Sequence, residues 1–231
     1  MEPHAQYCPV TYAADLLADR WTLLILREVV VGGATRFNEI ERGLPRVSRS
    51  LLAQRLRHLD RIGLIEAVPL AGGRGHEYRP TPAGKEVEPV LQAMGDWAVR
   101  WVFGDPRLEE LDPTFLMWWM SRRVNFDALP TGRTVVRFDL VRPGRSVYWL
   151  VLEPGDASVC STDPGLPVAV HVTADMMAFH RVFAGRITFA EALGDGSVEV
   201  VAPSRLARQL PTWFSWSPFY ELSRRELAAA R

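Results

Sequence analysis

The chain has 231 residues, 48% of them hydrophobic and 23% charged, the balance of a folded globular protein, which excludes a disordered one. That length points to about two domains, each with room for its own core. Its 27 acidic and 27 basic residues cancel, no apolar run approaches the roughly 20 residues that span a bilayer, and the opening MEPHAQYCPV lacks the segments of a secretory signal, so a cytoplasmic protein with no membrane partner is expected.

From Asp15 to Val31 closely spaced leucines, with Trp21 and Ile25, predict one largely buried helix that stops at Gly32-Gly33. RFNEIERGL predicts a short helix ending at Gly43, Pro45 blocks its continuation, and Ser48 is placed to cap the next helix. There Leu52, Leu56 and Leu59 share one face, while Ser50, Gln54, Arg57 and Arg61 recur on the other. LIEAV, PLAGGRG and HEYRP predict a β-hairpin with Arg74 at its tip. From Thr81, TPAGKEVEPVLQAMGDWAVRWVF returns to helical spacing with a broad apolar stripe, including Leu91, Met94, Trp97 and Trp101, that needs a partner. A Pro-rich, charged stretch over 104–113 marks the expected boundary between an N-terminal domain, 1–104, and a second domain, 105–231.

Charge is neutral overall but not locally. Between Arg42 and Arg61 stand six arginines against one acid, Asp60. A solvated surface explains such a run by itself, but helix, short helix, turn, arginine-faced helix and basic-tipped hairpin in succession form a winged helix-turn-helix. In a major groove, Arg can bond guanine and Gln can bond adenine, each with two hydrogen bonds. That points to Ser48, Arg49, Ser50, Gln54 and Arg57 for bases, with Arg36, Arg46 and Arg74 beside them as further contacts, chiefly to phosphates.

YCPVTYAADLLADRWTLLILREVVVGG, RFNEIERGLPRVSRSLLAQRLRHLDRIGLIE and EYRPTPAGKEVEPVLQAMGDWA together resemble the HxlR-type branch of the MarR-like regulators over about residues 7 to 101. The resemblance implies a homodimer whose first and last helices pair, covering the Val87–Trp101 stripe, and two recognition helices presented to near-palindromic double-stranded operator DNA. Some similar regulators sense oxidants through the cysteine of the Cys-Pro pair, here Cys8. A packing role is the favoured reading, since nothing in the sequence lowers the thiol pKa. Cys8 and Cys160 form no metal-type spacing, and neither a metal nor a cofactor is expected.

The second half opens on an aromatic helix, FLMWWMSRRV. TVVRFDLV, SVYWLVLE, ASVCS and PVAVHVT follow as antiparallel strands, then two helices, the strand SVEVVA and the helix SRLARQLPTWF, an α+β order. From Ser146 to Phe214 this resembles the sterol carrier protein-type domain. The resemblance implies an apolar tunnel for a hydrophobic small-molecule effector, with Phe138, Trp149, Phe179, Phe183 and Trp213 as candidate lining, His180, Arg137 and Tyr148 as polar anchors, and PTWFSWSPF as a mobile cover. Core packing explains the same aromatics. No nucleophile–base spacing or phosphate loop is present, so an enzyme is not expected. The sequence thus points to a regulator, most simply a repressor released by its effector. A lipid or small-molecule carrier and a thiol-sensing regulator are the alternatives.

Overall fold

The computed structural model describes residues 7–73 and 75–229; Arg74, expected at the wing tip, lies outside them. The chain divides into two compact units, Met1–Met94 and Gly95–Arg231. The division falls inside the long helix rather than in the 104–113 stretch where the composition shifts.

The first unit runs α1 (Pro9–Leu17), α2 (Arg20–Leu26), α3 (Phe37–Arg42), α4 (Arg49–Arg61), β1 (Ile65–Pro69), β2 (His76–Pro80), α5 (Pro82–Lys85) and the start of α6 (Glu88–Trp101). The helix expected over 15–31 is two helices. The Asp19 carboxylate accepts from the amides of Trp21 at 3.0 Å and Thr22 at 3.2 Å, which starts a new helix after Ala18. α1 has no buried residue, so residues 15–17 lack the burial expected of them, whereas α2 buries Thr22, Ile25 and Leu26 and continues as a π-helical turn over Arg27–Val31. In α3 the Glu39 carboxylate accepts from the amides of Thr35 and Arg36. Ser48 caps α4 as expected, its hydroxyl accepting from Leu51 N at 3.3 Å, and Leu52, Leu56 and Leu59 are 0–1% exposed.

β1 and β2 pair antiparallel from Ile65↔Pro80 to Pro69↔His76. Tyr78 N donates to Thr35 O at 2.8 Å and Arg36 bridges Glu77, so the chain just before α3 adds a third, short rung to the wing. The TPAG junction has a steric reason. Thr81 caps α5 through Gly84 N, and a Cβ on Gly84 would stand 1.9 Å from the Leu64 carbonyl oxygen. Only glycine lets the helix start that close to the first strand of the wing.

The second unit contains the rest of α6, then α7 (Pro113–Ser121), β3 (Thr134–Val141), β4 (Ser146–Glu153), β5 (Asp156–Cys160), β6 (Val170–Asp175), α8 (Met176–Phe183), α9 (Phe189–Gly194), β7 (Val198–Val201), α10 (Ser204–Gln209) and α11 (Tyr220–Ala229). Its five strands lie in the order β5-β4-β3-β6-β7. The sheet is mixed, where antiparallel strands were expected. β3, β4 and β5 form a meander, and the connection over 161–169 then carries the chain back to the free edge of β3, where β6 runs parallel to it from Val136↔Val170 to Val141↔Asp175. Val136, Phe138, Leu140, Tyr148, Leu150, Val170 and Val172 alternate onto one face and form a core with Leu116, Met117, Phe179, Val182, Phe189 and Trp213 from the helices and the segment after α10.

The segment expected to be a mobile cover begins in that core. Trp213 is 0% exposed, Phe214 is buried and forms an isolated bridge with Val124, and α11 then follows, a helix the sequence did not suggest. Phe219 lies against α6, where a Cβ on Gly95 would meet its ring at 2.1 Å. That contact is why the second half of α6 belongs with the C-terminal unit. No helix among the described residues is long and apolar enough to cross a membrane.

Gly84→Ala is expected to destabilise the first unit by about 1–3 kcal/mol, since the methyl meets backbone rather than a movable side chain. Urea unfolding followed by circular dichroism measures it, and an unchanged midpoint contradicts this account of the junction.

Candidate nucleic-acid interface

Burial of the leucine face of α4 turns Ser50, Gln54 and Arg57 outward, all three exposed. Ser48 and Ser50 hydroxyls lie 3.2 Å apart at the start of this helix. Arg46, in the turn that feeds it, is exposed with φ 79°, a conformation that a non-glycine residue holds only when the surroundings impose it. Arg36 is exposed where the chain bridges the wing. Seven of the eight expected contacts, all but Arg74, therefore lie exposed on α4 and the segments that flank it.

Arg49 is placed differently. Its guanidinium is ion-paired with Glu41, donates to Asn38 Oδ1 at 3.1 Å and stacks 4.8 Å from the Phe37 ring centre, all on α3. It links the two helices, and reaching a base would require exchanging those contacts. Arg55, counted in the basic run, is also structural. It pairs with Asp19 at 2.9 Å and ties α4 to the cap of α2. The role of Asn38 was not legible because its partner stands 11 residues away on another helix.

The turn is itself fixed from beneath. Glu28 is completely buried, its carboxylate accepting from Arg27 Nε at 2.8 Å and ion-paired with Arg27 Nη2, which also donates to Gly43 O at 2.9 Å. A Cβ on Gly43 would sit 1.9 Å from that carboxylate.

On α6 the residues Val90, Met94, Trp97 and Trp101 follow helical spacing and are exposed, Trp97 at 58% and Trp101 at 72%, and Leu91 is half-buried beside them. On α1, Val10 is 75% exposed and Tyr12 and Leu16 are also open. Apolar side chains in such continuous rows are the mark of a covered surface. Cys8 occupies the cap position of α1. Its thiol makes no capping hydrogen bond of ordinary geometry, yet the amides of Thr11 and Val10 hold its pKa below the usual cysteine value.

The candidate effector residues split between the two faces of the C-terminal sheet. Phe138, Phe179 and Trp213 are essentially inaccessible, with the Phe138 and Phe179 rings 5.6 Å apart, and Phe183 packs against the same core. His180 Nδ1 donates to Met176 O at 2.9 Å, and burial lowers its pKa, keeping the imidazole neutral. Trp149 does not join them. It is cross-strand partner to Arg137, one position out of phase with Phe138 and Tyr148, and so lies on the opposite face, the Arg137 guanidinium 5.5 Å from its ring centre. A single apolar tunnel cannot be lined by both Phe138 and Trp149. Among the described residues no three His, Cys, Asp or Glu side chains gather as metal ligands would.

Residues 16–105 match the HxlR-like helix-turn-helix family. The chain is 34% identical over 115 residues to the HTH-type transcriptional regulator YvaP of Bacillus subtilis, a match spanning 48% of this chain and 96% of that protein. It is 38% identical over 96 residues to the HTH-type transcriptional regulator sll1512 of Synechocystis sp., covering 39% of this chain and 70% of the relative. The reduced form of the transcriptional regulator YodB from B. subtilis superposes with a TM-score of 0.36 at 32% identity, over 42% of this chain and 96% of YodB. With its wing, its capped and arginine-faced α4 and a relative matched along nearly its whole length, the chain belongs to the HxlR-like helix-turn-helix family of transcriptional regulators.

Proposed function

We propose that the protein binds a near-palindromic operator as a homodimer, represses transcription there, and is released by a small molecule taken up by its C-terminal unit. The observation that carries DNA binding is the pair Gln54 and Arg57, exposed opposite a fully buried leucine row on a helix followed directly by a wing. Arg57 suits guanine and Gln54 adenine, Ser48 and Ser50 sit where such a helix first meets the groove, and Arg36 and Arg46 suit the phosphates. A carrier of the sterol carrier type, the alternative reading, has no use for that helix. The α+β order of the second unit supports a relation to sterol carrier-type domains and with it a hydrophobic effector. Because Phe138, Phe179 and Trp213 fill the core, an effector entering there must displace side chains. Effector control requires unequal affinity for the DNA-binding and released states.

Gln54→Ala and Arg57→Ala are each expected to weaken operator binding by about 1–3 kcal/mol and to relax preference at one base position, while Arg46→Ala weakens all sequences alike and lowers the salt dependence. Mobility shifts with DNA from the protein's own promoter measure this; wild-type affinity in both base-reading variants would refute the assignment.

The rows on α1 and α6 support self-association. Met94→Glu with Trp97→Glu is expected to convert a dimer into a folded monomer with little operator affinity, read by sedimentation velocity; a wild-type chain that is monomeric at micromolar concentration contradicts it.

The lowered pKa at Cys8 supports a second, thiol-sensing reading. A depressed pKa enlarges the thiolate fraction at neutral pH, so alkylation of Cys8 by iodoacetamide is expected to rise with a midpoint below the roughly 8.5 of a free thiol. Cys8→Ser should then leave DNA binding insensitive to peroxide, and an equal peroxide response in that variant removes this reading.

A further inference from the structure

The face of the C-terminal sheet turned away from its helices carries a cluster that packing does not account for. Four strands in register set Cys160, Trp149, Arg137 and His171 side by side across β5, β4, β3 and β6. One row along, Asp139 is almost wholly buried and draws three basic groups to its carboxylate: Arg137 at 3.1 Å, Arg145 at 3.5 Å and His171. Burial pushes the Asp139 carboxyl up, but the bonds from Arg137 and His171 outweigh it and hold the group below its ordinary value, so it stays ionised. One carboxylate against two arginines leaves a positive charge uncompensated within the cluster. Two further acids share this phase of the sheet: Asp175 on β6, which is taken by Arg142 at 2.9 Å, and Glu199 on the edge strand opposite Thr173.

Two donors in the same place have no acceptor. The indole N–H of Trp149, a residue only 8% exposed, and Nε of Arg137 are both buried and unbonded. Buried donors are ordinarily satisfied, and a pair of adjacent orphans beside surplus positive charge is an incomplete anion site. The cluster is also reachable, since the side chains of His171, Arg137 and Arg145 are 38%, 33% and 71% exposed. Beside the charges the same face is apolar: Val135 and Val151 pair one row from Trp149, with half-buried Cys160 at its flank.

We propose that this face is a binding site for a small planar organic carboxylate, its two oxygens taken by Arg137, Trp149 and His171 and its ring laid along Trp149, Val151 and Cys160. The ligand completes the hydrogen bonds that the cluster lacks and neutralises its residual charge, and the valines exclude a fully hydrated anion. The regulatory meaning of the site rests on the reading of the C-terminal unit as the effector module; the binding itself does not.

The test uses the full chain with benzoate as probe and cyclohexylammonium, a ring of similar size and opposite charge, as control at matched ionic strength. Benzoate is expected to slow alkylation of Cys160 saturably, read by peptide mass spectrometry, while Cys8 in the same sample is unaffected and cyclohexylammonium protects neither. Trp149→Phe, which keeps an aromatic ring but loses the indole N–H and part of the stacking surface, and Arg137→Lys, which keeps the charge but loses the guanidinium fork, should each weaken protection by about tenfold, at least the worth of one charge-assisted hydrogen bond. The melting temperature of each variant reports folding, and wild-type protein alone decides the matter should both variants misfold. No saturable protection of Cys160, equal protection by the cation, or undiminished protection in both folded variants overturns the site. Operator binding is assayed in parallel: if it persists without benzoate protection, the site fails and the regulator reading stands, whereas protection without operator binding has the reverse meaning.

Discussion

The buried carboxylate of Glu28 is the constraint on which the DNA-binding unit depends. A charge taken out of water must be paired and bonded, and here Arg27 does both while its guanidinium also grips the carbonyl of Gly43. The carboxylate fills the place a side chain at 43 would need, so α3 must end in glycine, and the turn that follows leaves it in one direction only. The Glu28 carbonyl in turn accepts from Ala34 N and fixes the loop into α3. Arg49 then sets α4 against α3, and the outward face of α4 is determined before any DNA is present. Preorganisation of this kind spares the binding reaction the cost of ordering the reading helix.

Much of this unit was legible because its signals are local. Ser48, Gly43, Pro45 and the leucine spacing each act within a turn or two of themselves, and the helix, turn, helix and hairpin they predict are present. What failed depended on side-chain choices between elements. Asp19 can cap or continue a helix with equal chemistry, and it caps because Arg55, 36 residues later, holds its other oxygen. The burial of Glu28 rests on its ion pair with Arg27 and on a glycine from a different turn, which spacing along one helix does not show. Arg49 and Arg55 were indistinguishable from Arg57 by spacing, and only the structure shows that Arg49, though exposed, pairs with Glu41 on α3 and that Arg55 pairs with the cap of α2.

In the C-terminal unit the strands were legible and their register was not. Strong β-formers give a period of two but not which phase faces the helices, and a strand such as TVVRFDLV is buried on both sides, with Val135 and Asp139 as inaccessible as Val136 and Phe138. Grouping Trp149 with Phe138 therefore required a phase that the residues themselves do not state. The pairing Arg137↔Trp149 states it, and with it the aromatics divide into a filled core and a second, charged face. The parallel β6 has the same origin: the connection over 161–169 looks like a loop between neighbours, and only the preference of β6 for the free edge of β3 makes it a crossover.

The division of the sheet also bears on how an effector could be read by the DNA-binding half. A ligand shifts an equilibrium only by the difference in its affinity for two states, so a site serves regulation when something attached to it has two arrangements. The helix core is closely packed and a poor candidate for small displacements. The opposite face differs, because its basic groups converge on a single carboxylate and an added anion competes with Asp139 for Arg137 and Arg145. Within the same unit Phe219 lies on Gly95 and Arg100 faces Glu226 at 3.6 Å, so the end of α6 is built into the C-terminal packing while its exposed row carries Trp97 and Trp101. α6 is continuous from Glu88 to Trp101, so an anion that altered the C-terminal packing would act on the same helix that carries the exposed row.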